Sequence, residues 1–101
     1  MLKRTLAGAA AALAIIASSA GAQEITGDVV KVGVLTDMSS LYADINGPGA
    51  VVATEMAIED WGGTVLGKPI ELVSADTQNK PDIGLSVGGK WVDAEGVDVI
   101  I

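Results

Sequence analysis

Residues 29–63, VVKVGVLTDMSSLYADINGPGAVVATEMAIEDWGG, decide the fold. Val29 to Leu35 are rich in β-branched side chains and carry a single lysine, the pattern of a strand covered on both faces. Pro48 suits the first turn of a helix, where its missing N–H is not needed. The spacing predicts a helix over Pro48 to Trp61. Glu55 and Glu59 sit one turn apart on one face, and apolar residues fill most of the remainder. Gly62-Gly63 ends it.

The same alternation continues downstream. In GKPIELVSAD, residues 67–76, Ile70, Leu72 and Val73 carry a second strand, with Pro69 at its edge. Pro81 opens a second helix, and Lys80 before it is driven from helical angles. Asp82 favours the positive end of the helix dipole. Ile83, Val87, Trp91 and Ala94 fall on one helical stripe, and Gly96 ends the segment. VDVII, residues 97–101, reads as a third strand. The whole is predicted as α/β: a three-layer, Rossmann-like parallel sheet built as βαβαβ. Gly84, Gly88 and Gly89 each cost the second helix about 1 kcal/mol relative to alanine. Close packing on the sheet, or relaxed constraint on the sequence, would each account for them.

Gly-Pro-Gly before a helix raises the question of bound phosphate. A dinucleotide fingerprint requires G-x-G-x-x-G directly after the first strand. Here Val52 stands where the third glycine belongs, and Gly47 lies far beyond Leu35. The pattern therefore argues against a dinucleotide site. What remains is a long loop at the carboxyl end of the first strand, the edge where open α/β sheets bind ligands. It carries Thr36, Asp37, Ser39, Ser40, Tyr42, Asp44 and Asn46, groups suited to a small polar organic ligand. Individually, Asp37, Asp44 and Asn46 also suit the satisfaction of turn backbone.

The 101 residues include no cysteine and no histidine. Common zinc sites and histidine-based nucleophile systems are thereby excluded. No metal, cofactor or catalytic residue is expected, and no nucleophile–base pair is present for an enzyme. All 13 acidic residues follow residue 23, against four lysines there, a net charge of −9. Such a surface repels nucleic acid and anionic lipid.

The first 22 residues read differently. Lys3 and Arg4 precede an apolar run from Leu6 to about Ala17, followed by Ala20-Gly21-Ala22. A basic start, a short apolar middle and an A-x-A site mark a cleavable secretory signal peptide. The run falls short of the roughly 20 residues that span a bilayer. Cleavage after Ala22 leaves Gln23 first and points to the periplasm. A cytoplasmic phospho-acceptor role for Asp37 is incompatible with that address.

The order of these features, from VKVGVLTDMSSLYADINGPGAVVATEMAIEDWGG through TVLGKPIELVSADTQNKPDIG, resembles the start of the periplasmic solute-binding proteins of branched-chain amino acid (leucine/isoleucine/valine) ABC transporters. The matching elements are the strand with its Met-Ser-Ser turn, Tyr42, the Gly-Pro-Gly, the AIEDWGG helix end and the proline-opened second helix. Ser40 replaces a common glycine. The resemblance covers the mature chain but only the opening of such a protein. Residues 23–101 would then be the N-terminal portion of the first lobe of a type I periplasmic binding fold. The resemblance implies a two-lobed, non-catalytic protein that closes on a small-molecule solute and delivers it to a membrane permease. It implies solute contacts from Ser39, Ser40, Leu41 and Tyr42, and from Asp76 and Asn79 at the second strand's rim. The family's clamp for an amino-acid carboxylate lies beyond Ile101. The LYAD..GPG form resembles members that take aromatic or other small organic acids, and an aromatic ligand would stack on Tyr42. An extracellular sensor of the same fold, or a truncated stub without function, are the alternatives.

The 79 residues from Gln23 to Ile101 are few for a parallel sheet that ends on a strand. The mature protein is expected to begin at Gln23 and to weigh several times as much as residues 23–101. Intact mass and N-terminal sequencing of the protein from its native host check both expectations.

Overall fold

The computed structural model describes residues 24–101. The signal-peptide reading of residues 1–22, and Gln23, lie outside the described residues. Strand β1 is Val30–Thr36, helix α1 Ala43–Asn46, helix α2 Pro48–Trp61, strand β2 Thr64–Val65, strand β3 Lys68–Asp76, helix α3 Pro81–Asp93 and strand β4 Val99–Ile100. The sheet order is β2-β3-β1-β4. β1 pairs in parallel with β3 on one side and with β4 on the other. The chain leaves β1 for one neighbour through α2 and returns to the opposite neighbour through α3. Right-handed crossovers in opposite directions put the two helices on opposite faces of the sheet. This is the predicted βαβαβ arrangement.

The structure adds two elements and trims a third. β2 pairs antiparallel with β3, so the sheet is mostly rather than wholly parallel. The turn between them places Leu66 and Gly67 at positive φ, 48° and 78°. This is the handedness that a twisted hairpin favours. α1 is a single helical turn inside the long loop after β1. The last strand is confined to Val99–Ile100, and Val97 is buried ahead of it.

The core is small. Val34, Trp91 and Val97 are its buried apolar residues. Side chains alternate across a strand, so Gly33 and Leu35 share the face that α3 covers. Trp91 lies flat enough on β1 that a Cβ at Gly33 would sit 2.5 Å from its Cζ3 and 3.1 Å from Val97 Cγ1. The glycines of α3 are another matter. A Cβ would come no closer than 3.7 Å to a neighbour at Gly84 and 3.5 Å at Gly88, and would meet nothing within 4 Å at Gly89. Packing within the described residues requires none of the three. Among the described residues no helix is long and apolar enough to cross a membrane.

α2 spans the predicted residues. Pro48 occupies its first turn, and Gly62 ends it at φ 105°, its N–H bonded to Glu59 O. The Gly-Pro-Gly ahead of it is not a cradle. Gly47 is buried, and a Cβ there would lie 2.5 Å from Ala43 O and 2.6 Å from Asp37 O. Both neighbours are backbone and cannot swing aside. Around Gly49 nothing lies within 4 Å. Gly47→Ala is therefore expected to destabilise the protein by about 3 kcal/mol through overpacking. Gly49→Ala is expected to leave it unchanged or to stabilise it by up to about 1 kcal/mol. Thermal melting of the two variants checks the contrast.

Candidate functional site

The carboxyl ends of β1 and β3 lie side by side, with Thr36 opposite Asp76. β3 ends on Asp76 and β1 is followed directly by Asp37, and each aspartate holds the loop beyond its strand. Asp37 is 5% exposed, the buried charged side chain among the described residues. Its Oδ1 accepts the backbone N–H of Ser40 at 2.8 Å and of Ser39 at 3.3 Å. Its Oδ2 accepts the Ser40 hydroxyl at 2.7 Å and the Tyr42 N–H at 2.9 Å. Asp76 Oδ1 accepts the N–H of Met38 and of Gln78, each at 2.8 Å. One oxygen thus joins the loop after β1 to the loop after β3. A further bond ties Thr77 N–H to Thr36 O at 2.8 Å.

These donors set the ionisation of both groups. Burial alone raises the Asp37 carboxyl. The Ser40 hydroxyl and the amides of Tyr42, Ser40 and Ser39 together outweigh it and hold the group below the usual carboxylate value. Asp76 is lowered chiefly by the Ser39 hydroxyl, then by the Met38 and Gln78 amides, against burial and the charge of Asp37.

The loop then turns on itself. Ser40 O accepts Ala43 N–H, and Tyr42 O accepts the N–H groups of Ile45 and Asn46, forming α1. Thr36 donates its hydroxyl to Asn46 O at 3.2 Å. The consequence is a rim whose amides and serine hydroxyls are engaged by the two aspartates, while its large side chains stand toward solvent. Leu41 is 73% exposed and Tyr42 46%. Ser39 is exposed as well.

Of the residues expected at the site, Ser39, Ser40, Leu41, Tyr42 and Asp76 are brought together. Asn79 lies further along the β3 loop, at φ 55°, its N–H 3.3 Å from Thr77 Oγ1. With Thr77, Lys80, Pro81 and Gly84 it lines a shallow depression of about 200 Å³. Asp76 and the Ser40 hydroxyl are engaged by the backbone framework described above, in addition to any contact with a ligand.

A second cleft of about 200 Å³ is lined by Val34, Leu35, Thr36, Asn46, Ala50 and Ile101. It sits where the chain's crossovers diverge on either side of β1, the switch point at which open α/β sheets bind ligands. The sequence marks Thr36 and Asn46 as loop polar groups but does not place them in this cleft. Only the strand order β3-β1-β4 does so. The role of Asp37 had a local signal: an aspartate followed two and three residues on by serines is a turn that closes on its own side chain. Among the described residues no group of three or more carboxylates gathers as a metal site.

The strand order, the switch-point cleft and the polar rim define an α/β domain that offers the carboxyl edge of its sheet to a ligand. A family model described as periplasmic binding protein matches residues 29–101. The chain belongs to that family, and its fold is that of type I periplasmic binding proteins. Members of this family are transport-related solute-binding proteins, which are not enzymes. A branched chain amino acid ABC transporter periplasmic ligand-binding protein from Burkholderia xenovorans LB400 is 57% identical, with a TM-score of 0.69 over 71% of this chain and 19% of that one. A periplasmic binding protein from Burkholderia mallei is 55% identical, with a TM-score of 0.71 over 72% of this chain and 20% of that one. A solute binding protein of an ABC transporter from Rhodopseudomonas palustris BisB5, solved with 3,4-dihydroxybenzoic acid, is 30% identical, with a TM-score of 0.67 over 73% of this chain and 20% of that one. The chain spans about a fifth of the length of these relatives. Comparison with curated proteins gave no match.

Both aspartates are depressed in the folded state. Their contribution to stability is therefore present above the usual carboxylate value and is lost as pH falls through it toward the lower folded value. The melting temperature of the full-length protein is expected to drop over that acidic window. Asp76→Asn is expected to flatten the drop, which melting curves at a series of pH values check.

Proposed function

We propose that residues 23–101 open the first lobe of the substrate-binding component of an ABC importer. The protein captures a small organic solute, an amino acid or an aromatic or other organic acid, in the periplasm and hands it to a membrane permease. Residues 1–22 serve as the cleaved export signal. The observation that carries this reading is the rim itself: a sheet edge on which Leu41 and Tyr42 stand exposed above a loop hydrogen-bonded to Asp37. Support for the solute class comes from the relatives, one described as a branched chain amino acid transporter protein and one solved with an aromatic acid.

On this reading Ser39, Leu41 and Tyr42 meet the solute at the β1 rim, with Ser40, Asp76 and Asn79 beside them. The phenol ring of Tyr42 is the group with most to offer an aromatic acid, through offset or edge-to-face stacking worth about 1 kcal/mol beyond area burial. The second lobe and the rest of the first supply the remaining contacts. Closure of the lobes on the solute excludes water and creates the surface that the permease reads.

Titration calorimetry of the full-length protein with L-leucine, benzoate and 3,4-dihydroxybenzoate tests the reading. One of these is expected to bind and to leave unchanged. Tyr42→Ala is expected to weaken that binding by several-fold to tenfold. Unaltered affinity in the variant would remove Tyr42 from the site.

A further inference from the structure

The large apolar side chains of the β1 rim stand mostly outward. Leu41 and Tyr42 project into solvent, and Ile45 in α1 is 79% exposed. Tyr42 is 46% exposed, and among the described residues its hydroxyl takes part in none of the side-chain hydrogen bonds that hold the loop. What holds residue 42 from the side of the sheet is its N–H, 2.9 Å from Asp37 Oδ2. The same carboxyl group takes the Ser40 hydroxyl and the amides of Ser39 and Ser40. Asp37 is itself buried at the base of the loop, behind the exposed face. Asp76 completes the frame by fixing Met38, the residue between strand and rim.

We infer that Asp37 is a positioning residue for solute binding, acting through Tyr42, and that Ser40 serves this frame rather than touching the solute. The inference rests on the solute-binding reading above. Its chemistry lies in the acceptor-only character of a carboxylate: both oxygens take N–H donors at once. Asparagine has the same size but only one acceptor head. With its oxygen toward the Ser40 amide, its NH₂ confronts the Tyr42 N–H, and residue 42 is released. Solute must then order the loop on binding, which weakens affinity without removing any contact.

The test is a set of double-mutant cycles on the full-length protein. Calorimetric affinities for 3,4-dihydroxybenzoate and L-leucine are measured for Asp37→Asn, Ser40→Ala and Tyr42→Ala, and for each of the first two combined with the third. Asp37→Asn is expected to weaken the probe that binds by about tenfold. Ser40→Ala is expected to weaken it less. Neither is expected to add a further loss once Tyr42 is alanine, because both act through that ring. Losses that add to that of Tyr42→Ala would overturn the inference, as would unchanged affinity in Asp37→Asn. If Asp37→Asn fails to melt cooperatively, the Ser40→Ala cycle decides alone, since a direct solute contact by Ser40 would be additive. The two levels fail differently. A weakened Tyr42→Ala beside unaffected Asp37→Asn and Ser40→Ala removes only the inference. Neither probe binding to the unmodified protein removes the solute-binding reading and the inference with it.

Discussion

A single carboxylate at the end of the central strand organises everything above the sheet. Asp37 leaves β1 buried, and a charge so placed is stable only when its oxygens are met by donors. The donors are those of the next five residues, three amides and one hydroxyl. Meeting them bends the chain back over the strand end. That bend sets α1, seats Gly47 against the carbonyl of Asp37 and delivers Pro48 to the start of α2. The order of cause runs from one ionised group to a loop, then to a helix start, and then to the crossover that brings β3 beside β1.

Glycine plays two unlike parts in that sequence of events. At Gly47 and Gly33 it yields space, to carbonyl oxygens in one case and to the Trp91 ring in the other. At Gly62 it supplies a left-handed turn that lets α2 stop. Packing thereby accounts for the first glycine of the Gly-Pro-Gly, and Pro48 for the helix start, whereas Gly49 meets no neighbour.

Much of this architecture is legible in the residues. Pro48 and Gly62 bracket α2 without error, because a missing donor and a missing Cβ are local requirements that need no tertiary information. The stripe of Ile83, Val87 and Trp91 identifies the inner face of α3, and Trp91 is indeed buried. Ala94, at the end of that stripe, is exposed beyond the last helical residue. The hairpin of β2 is not legible. Two residues are too few to show alternation, and Leu66 occupies a left-handed position that a sequence reading would reserve for asparagine or glycine. Nor is the switch-point cleft, since Thr36, Asn46, Ala50 and Ile101 meet only when β4 crosses to the far side of β1. The rim residues Ser39 to Tyr42 are recognisable as a group. That the backbone frame engages the Ser40 hydroxyl and Asp76 depends on geometry.

The place of β1 in the sheet also governs the order of assembly. It is the first strand of the described chain, yet it lies between two partners made much later. Val30 waits for Ile70, and Lys31, whose N–H meets Asp98 Oδ2 at 2.8 Å, waits for a residue 67 positions away. Until then both edges of the most apolar segment are open. Such distant pairings slow folding, because loop-closure entropy must be overcome before the contacts form. Unpaired edges of this kind also invite pairing between chains. Lys31 is the one charge within β1, and a lysine on an open strand edge opposes such pairing.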